Sequence, residues 1–410
     1  MNIRVFPALL EGSVIPPPSK SQAHRALMAA ALSGGFSVLK NLAPSQDIQA
    51  TTACLSAMGS RFVPMDNGDI QVHGLGYSIP QHREPWLTQF NCGESGSTLR
   101  FMIPVALFVQ GGGQFVGRGR LMERPQKPYF DIFDEKGVFY EQKDGALTVK
   151  GELAPGEYRL PGNISSQFVT GLLYTLPLLK GGSEIVLTSQ LESKGYVDMT
   201  LEMLGRFGIR IEVLEGGFSI PGGQRYRPCD LTVEADWSQA AFWYAAAFLG
   251  SRVEARGLEG GTCQGDEVIE RLTSRLSQPG DMEIDVSNCP DLVPALALMA
   301  AVRSGTARLI NAARLRMKES DRLASVTQVL TALGAQVEEG PDFLKITGVS
   351  ELAGGVTVDC CNDHRIAMMA AVAATRCKEP VTLLGAECVR KSYPYFWDDY
   401  RKLGGKFDVL

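Results

Sequence analysis

A chain of 410 residues that is 45% hydrophobic and 21% charged is too long for one ordinary core and too apolar to remain disordered, so two domains of roughly 200 residues are expected. The 45 acidic and 40 basic side chains leave a net charge of −5, which gives no reason to expect nucleic acid as a partner; any anion site must be a local basic cluster. No apolar run approaches the ~18 residues of a membrane span, and the opening MNIRVFPALLEGSVIPPPSK lacks the features of a signal peptide.

Along the chain, VIPPPSK (14–20) comes first, where three prolines impose an extended path. One pattern then recurs six times, a polar first turn opening into a strongly apolar helix. It appears at SKSQAHRALMAAAL (19), ESGSTLRFMIPVALF (94), ISSQFVTGLLYTLPLL (164), WSQAAFWYAAAFL (237), NCPDLVPALALMAAV (288) and NDHRIAMMAAVAA (362). Ser, Asn or Asp stands at each start, where a side-chain oxygen can cap free backbone N–H groups. A second, amphipathic helix often follows and stops at glycine before a strand, as in YVDMTLEMLGRFGIRIEV and DRLASVTQVLTALGAQVEE, whose ends alternate as half-buried strands do. Each unit is thus two helices plus short strands, one helix being apolar nearly all round and so buried. At about 68 residues the units exceed solenoid periods, so three per globular domain is the better packing. The glycine- and proline-rich EGGFSIPGGQRYRPCD (215–230) marks the boundary, giving one domain over 19–222 and another over 1–18 with 223–410.

Nine cysteines without a CxxC pair indicate a reduced, cytoplasmic chain, and His24, His73, His82 and His364 have no partner at zinc-site spacing. The repeat has a chemical reading beside its bland one. Apolar helices that aim N–H-rich ends at one place make an anion site, although good caps alone explain the Ser and Asn. Cations normally avoid helix amino termini, yet Lys20, Arg25, Arg100 and Arg365 stand beside these turns, with Arg124, Lys318, Arg322 and Lys391 close in sequence. In ARLRMKESDRL (313–323) charges of both signs crowd one corner, and a solvated salt-bridged helix start is the bland alternative. In CNDHRIAMM (361–369) the alternative is a capping Asp363 with a core histidine, and in GRGRLMERPQKPY (117–129) an exposed basic loop.

Taken together, SKSQAHR, ESGSTLR, MERP, ISSQF, ESKGYVD, NCPDLVPA, RMKESDR, NDHR and VRKSYP resemble the 5-enolpyruvylshikimate-3-phosphate synthase family, the 3-phosphoshikimate 1-carboxyvinyltransferases, in the family's order. The resemblance implies an α/β fold of two similar domains, each of three βαβαββ units with buried parallel helices, closing over a central cleft. It implies transfer of the enolpyruvyl group of phosphoenolpyruvate to the 5-hydroxyl of shikimate 3-phosphate. By that resemblance, shikimate 3-phosphate is held by Lys20, Ser21, Arg25, Ser165, Ser166, Gln167, Ser193, Asp291 and Lys318. Phosphoenolpyruvate is held by Lys20, Gly96, Arg124, Gln167, Arg322, Arg365 and Lys391; Asp291, Glu319 and Lys20 are the catalytic groups. No metal or organic cofactor is implied, and the expected protein is a cytoplasmic monomer whose partners are its two small substrates.

Two positions depart from the family pattern. Glu94 stands where many members have Asn, putting a carboxylate near an anion-binding turn, and Arg314 stands where some have a substrate-contacting Asn. The nearest rival, the UDP-N-acetylglucosamine enolpyruvyl transferases, typically carries a cysteine in the loop matching GRGRLMERP, and none is present. A non-catalytic arm of a multi-enzyme assembly would have no need of Lys20, Asp291, Glu319 and Lys391.

Overall fold

The computed structural model describes residues 1–76 and 88–410; His82 lies outside them. Two compact units divide the chain, Lys20–Glu234 and Met1–Ser19 with Ala235–Leu410.

One supersecondary pattern builds both units. Strand Gln89–Asn91 leads into helix Gly96–Gln110, and strand Gly112–Val116 returns parallel to the first. Helix Lys127–Lys136 follows, and the hairpin of Phe139–Lys143 and Ala146–Lys150 completes a four-stranded sheet with its second arm beside Gly112–Val116. Segments 157–220 and 282–347 repeat this βαβαββ order and sheet arrangement.

Two further repeats are completed by strands from distant parts of the chain. The repeat with helices Lys20–Leu32 and Gln46–Met58 takes its first strand from Leu231–Thr232, parallel to Phe36–Lys40. The repeat with helix His364–Ala374 takes its last from Ile3–Phe6, antiparallel to both Val381–Leu384 and Lys406–Val409. The sixth has only a two-stranded sheet, Glu11–Val14 parallel to Arg252–Ala255. These pairings tie the amino-terminal strands to the later unit. They also carry the earlier unit to Glu234, beyond the 222/223 division expected from composition, because Leu231–Thr232 is part of its sheet.

The apolar helices form the two cores. Lys20–Leu32, Gly96–Gln110 and Ser166–Thr175 are buried along nearly their whole length in one unit, as are Trp237–Phe248, Val293–Val302 and His364–Ala374 in the other. Each buried Leu, Phe or Met there contributes about 1.5–3 kcal/mol by leaving water. The amphipathic helices stop as the glycines predict, Gly59 and Gly334 taking φ of 113° and 99°, a conformation that costs other residues more. The strands after them are more exposed than half-burial predicts. Glu212–Leu214 and Gln336–Glu339 are edge strands, so less of each is covered.

Four of the apolar helix starts have a side-chain cap of the expected kind: Ser95, Ser165, Asp236 and Asp363 each accept a backbone N–H of the first turn, as Ser45 and Asp321 do for the amphipathic helices they precede. The helix Val293–Val302 differs. A 3₁₀ turn, Pro290–Leu292, precedes it, Leu292 occupies the cap position, and the Asp291 carboxylate is turned to other partners. Among the described residues no helix is long and apolar enough to cross a membrane.

Candidate active site

In the later unit, the loops that end at helix starts gather charge of both signs around Arg322. Its guanidinium, 1% exposed, donates from Nε to Asp363 Oδ2 at 2.8 Å, from Nη1 to Asp291 Oδ1 at 2.8 Å and from Nη2 to Glu319 Oε2 at 2.6 Å. Burial alone would lower the Arg322 pKa, but Asp363, Glu319 and Asp291 outweigh it and hold the group firmly cationic. The capping reading of Asp363 also stands, for its Oδ1 accepts the Arg365 backbone N–H at 3.0 Å while Oδ2 serves Arg322.

Asp291 is the common acceptor. Its Oδ1 also takes Lys318 Nζ at 3.3 Å, its Oδ2 takes Arg365 Nη2 at 3.1 Å, and its carbonyl takes Arg365 Nη1 at 3.1 Å. Burial lowers the Lys318 pKa, with Asp291 opposing and Arg322 reinforcing the shift, so its ammonium is easier to deprotonate than a surface lysine. Arg365 is held from a second side by Ser238 Oγ, 2.9 Å from Nη2. Lys391 joins through the backbone, donating to Asn362 O at 2.5 Å. That carbonyl is presented by a turn in which Cys361 and Asn362 both have positive φ, 53° and 49°, a conformation disfavoured for non-glycine residues and often found at functional sites.

The earlier unit carries a second polar group at its helix starts. Arg25 donates to Thr200 Oγ1 at 2.8 Å, Ser21 O at 2.7 Å and Tyr196 O at 2.8 Å, with its guanidinium over the Phe101 ring at 5.5 Å. Lys20 Nζ pairs with Asp47 Oδ2 at 2.8 Å. Ser193, just before helix Lys194–Arg206, is buried with a left-handed φ of 55°. Arg100 binds Gln167 Oε1 at 2.8 Å and Ser165 Oγ at 3.5 Å, and Gln167 Nε2 reaches Ser97 Oγ at 2.9 Å. Ser166 is the first residue of the helix that Ser165 caps.

Gly96 opens its helix with Arg124 lying across it. A Cβ at position 96 would stand 2.9 Å from Arg124 Nη1 and 3.4 Å from Gln167 Oε1, so a larger residue there would push this guanidinium aside. Of the arginines in GRGRLMERP, Arg124 is buried while Arg118 and Arg120 are exposed, so two of the three fit the bland reading of that loop. Glu94 lies against Gly119, where a Cβ would meet its Oε2 at 2.7 Å. Arg314 donates to the Ser287 carbonyl.

The structure therefore brings Asp291, Lys318, Glu319, Arg322 and Arg365 into one hydrogen-bonded group, with Lys391 held by the turn beside it. In the other unit it links Ser165 and Gln167 through Arg100 and sets Arg124 over Gly96. Sequence reasoning missed Asp47, Ser238 and Asp266. Ser238 donates to Asp266 Oδ2 at 2.6 Å, and nothing in the local pattern QGDEVIERL distinguishes Asp266 from an ordinary helix-start acid. Among the described residues no group of His, Cys, Asp and Glu is arranged to hold a metal ion.

Known proteins give a consistent picture. A 3-phosphoshikimate 1-carboxyvinyltransferase from Clostridium beijerinckii is 44% identical over 99% of this chain and 98% of its own length. One from Clostridium kluyveri matches at 44% with the same coverage. In three dimensions, an EPSP synthase from Acinetobacter baumannii superposes with a TM-score of 0.81 over the whole of both chains at 22% identity. An enolpyruvyl transferase from Streptomyces tendae does so at 0.78 over 99% of this chain and 98% of that one, at 16% identity. With residues 6–400 also matching the family model of EPSP synthase, 3-phosphoshikimate 1-carboxyvinyltransferase, the chain belongs to that family.

Proposed function

We infer that this chain transfers the enolpyruvyl group of phosphoenolpyruvate to the 5-hydroxyl of shikimate 3-phosphate, giving 5-enolpyruvylshikimate 3-phosphate and inorganic phosphate. The enzyme works in aromatic amino acid biosynthesis, as a cytoplasmic monomer. The observation that carries the reading is the placement of one carboxylate, Asp291, among Arg322, Arg365 and Lys318 in a chain related to this family over its full length. A proton acceptor thus sits beside cations suited to an anionic substrate.

The chemistry needs a base to take the proton of the 5-hydroxyl and an acid to protonate the methylene carbon of phosphoenolpyruvate. Carbon–oxygen bond formation gives a tetrahedral intermediate that carries a methyl group, from which phosphate then leaves as the methyl group gives back one proton and the methylene is restored. Asp291 is the base, and Lys20 or Glu319 supplies the acid. Arg322 and Arg365, with Lys391, Arg124, Gly96, Lys20 and Gln167, bind phosphoenolpyruvate; planar guanidinium groups suit its carboxylate and phosphate. Lys20, Ser21, Arg25, Ser165, Ser166, Gln167, Ser193, Asp291 and Lys318 bind shikimate 3-phosphate. Arg322 is shared among three carboxylates, so an incoming anion competes with them for its guanidinium, and an exchange with Asp291 or Glu319 frees that carboxylate to move a proton. A coupled phosphate-release assay tests the reading. Release from phosphoenolpyruvate should require shikimate 3-phosphate, and release driven by UDP-N-acetylglucosamine instead would overturn it.

A further inference from the structure

Arg365 is held from two directions by carboxylates, one direct and one at a remove. Its Nη2 lies 3.1 Å from Asp291 Oδ2 and 2.9 Å from Ser238 Oγ, and the Ser238 hydroxyl in turn donates a hydrogen bond to Asp266 Oδ2 at 2.6 Å. The Ser238 carbonyl is a further acceptor, 3.5 Å from Arg365 Nη1. Asp266 lies in the 3₁₀ turn Gly265–Val268 and is 5% exposed. The loop before it is fixed to the start of helix Trp237–Phe248 by Gln264, which accepts the Trp237 N–H at 3.2 Å and donates to Ala235 O at 2.9 Å. Ser238, Asp266 and Asp291 thus come from three separate elements, and all bear on one guanidinium at the start of a fourth.

A buried carboxylate in a place where burial and Asp291 both disfavour its charge needs a reason to be there. A buried serine that accepts from a guanidinium cannot choose its own orientation; the acceptor for its hydroxyl proton fixes which lone pair faces the arginine. With Asp266 as that acceptor, Ser238 Oγ presents a lone pair to Arg365 and limits how the guanidinium can swing when an anion competes with Asp291 for it.

We propose that Asp266 is a positioning residue which, through the Ser238 hydroxyl, fixes the Arg365 guanidinium for the anionic substrate. The inference deepens the proposed function and rests on Arg365 binding phosphoenolpyruvate. It requires the carboxylate only as an acceptor, so a neutral amide of the same shape should serve.

Steady-state kinetics on the full chain, with Asp266→Ala, Ser238→Ala, the double variant and Asp266→Asn, decide it. Asp266→Ala and Ser238→Ala should each raise KM for phosphoenolpyruvate ~10-fold while kcat stays within about twofold and shikimate 3-phosphate affinity is unchanged. The double variant should be no worse than either single one, because both cut the same chain of bonds, and Asp266→Asn should restore a KM close to that of the parent enzyme. Wild-type KM in Ser238→Ala, or additive losses in the double variant, would overturn the proposal even if Asp266→Ala failed to fold. A fall in kcat, KM and Tm together, unrelieved by Asp266→Asn, would show that Asp266 only supports the fold. Parent enzyme that never turns over phosphoenolpyruvate would sink the functional reading and this inference together, whereas an active parent with indifferent variants sinks this inference alone.

Discussion

Replacing Asp291 with asparagine separates chemistry from packing, because the carboxylate does no capping that asparagine could inherit. Asp291 accepts from Arg322 at 2.8 Å and Lys318 at 3.3 Å through Oδ1, and from Arg365 at 3.1 Å through Oδ2. An amide keeps one acceptor. Whichever way it turns, its NH₂ faces either Arg365 or the Arg322 and Lys318 pair, donor against donor. Losing one charged hydrogen bond in a group that is 17% exposed costs about 1–3 kcal/mol. For a domain of this size that lowers Tm by about 2–12 °C, so the variant remains folded at the assay temperature. If Asp291 takes the proton of the 5-hydroxyl, kcat should fall by ~10²–10⁴, since an amide cannot act as the base. Phosphate release measured with both substrates saturating reads kcat, and calorimetric binding of shikimate 3-phosphate checks that the binding proposed for Arg25, Ser165 and Ser166 is intact. A kcat near that of the parent enzyme would remove Asp291 from the base role and make Glu319→Gln the next substitution.

Arg322→Ala should be the most damaging change to stability, about 3–5 kcal/mol by denaturant unfolding, because it leaves Asp363, 0% exposed, beside Asp291 and Glu319 without their shared cation; a loss under about 1 kcal/mol would mean the carboxylates find other partners. Gly96→Ala places a methyl 2.9 Å from Arg124 Nη1 and should raise KM for phosphoenolpyruvate about 10- to 200-fold with shikimate 3-phosphate affinity unchanged, while an unaltered KM would detach Arg124 from that substrate. Burial and then the charge of Asp291 raise Asp266 from 3.8 to about 6, against Ser238 and Arg365, with Asp236 adding to the rise. The native state therefore holds a proton over a range where the unfolded chain has released it. Asp266 costs stability above about pH 6, and that cost fades as the pH falls towards about 4. Asp266→Asn has no such cost, so in urea unfolding it should gain on the parent enzyme at about pH 8 and lose that gain on acidification; a gap independent of pH would contradict the shift.

What the sequence discloses depends on how local the cause is. The six apolar helices and most of their caps could be read because a Ser or Asp before an apolar run is a local signal, and four of the six starts carry such a cap. The cap read into NCPDLVPA failed for a local reason too, since a 3₁₀ entry, Pro290–Leu292, puts Leu292 at the cap position and leaves the Asp291 carboxylate to Arg322, Lys318 and Arg365. The borrowed strands were beyond reach. Ile3–Phe6 and Leu231–Thr232 are ordinary short strands, and only sheets completed by residues hundreds of positions away, or nearly two hundred in the second case, give them their place. The exposure of Gln336–Glu339 likewise follows from its place at a sheet edge. The candidate residues themselves came from motifs. The structure added their connections, above all that Arg322 spans three carboxylates and that Arg365 is tied back to Asp266, an acid with no signature in its own neighbourhood.

The central claim is the identity of the bond made, and the product reports it directly. Incubated with phosphoenolpyruvate and shikimate 3-phosphate, the purified protein should yield one new compound. Its proton and phosphorus NMR spectra should show an enol ether methylene on the 5-oxygen, the 3-phosphate intact, and one equivalent of inorganic phosphate. An enolpyruvyl group on any other oxygen, or phosphate released without carbon transfer, would contradict the account.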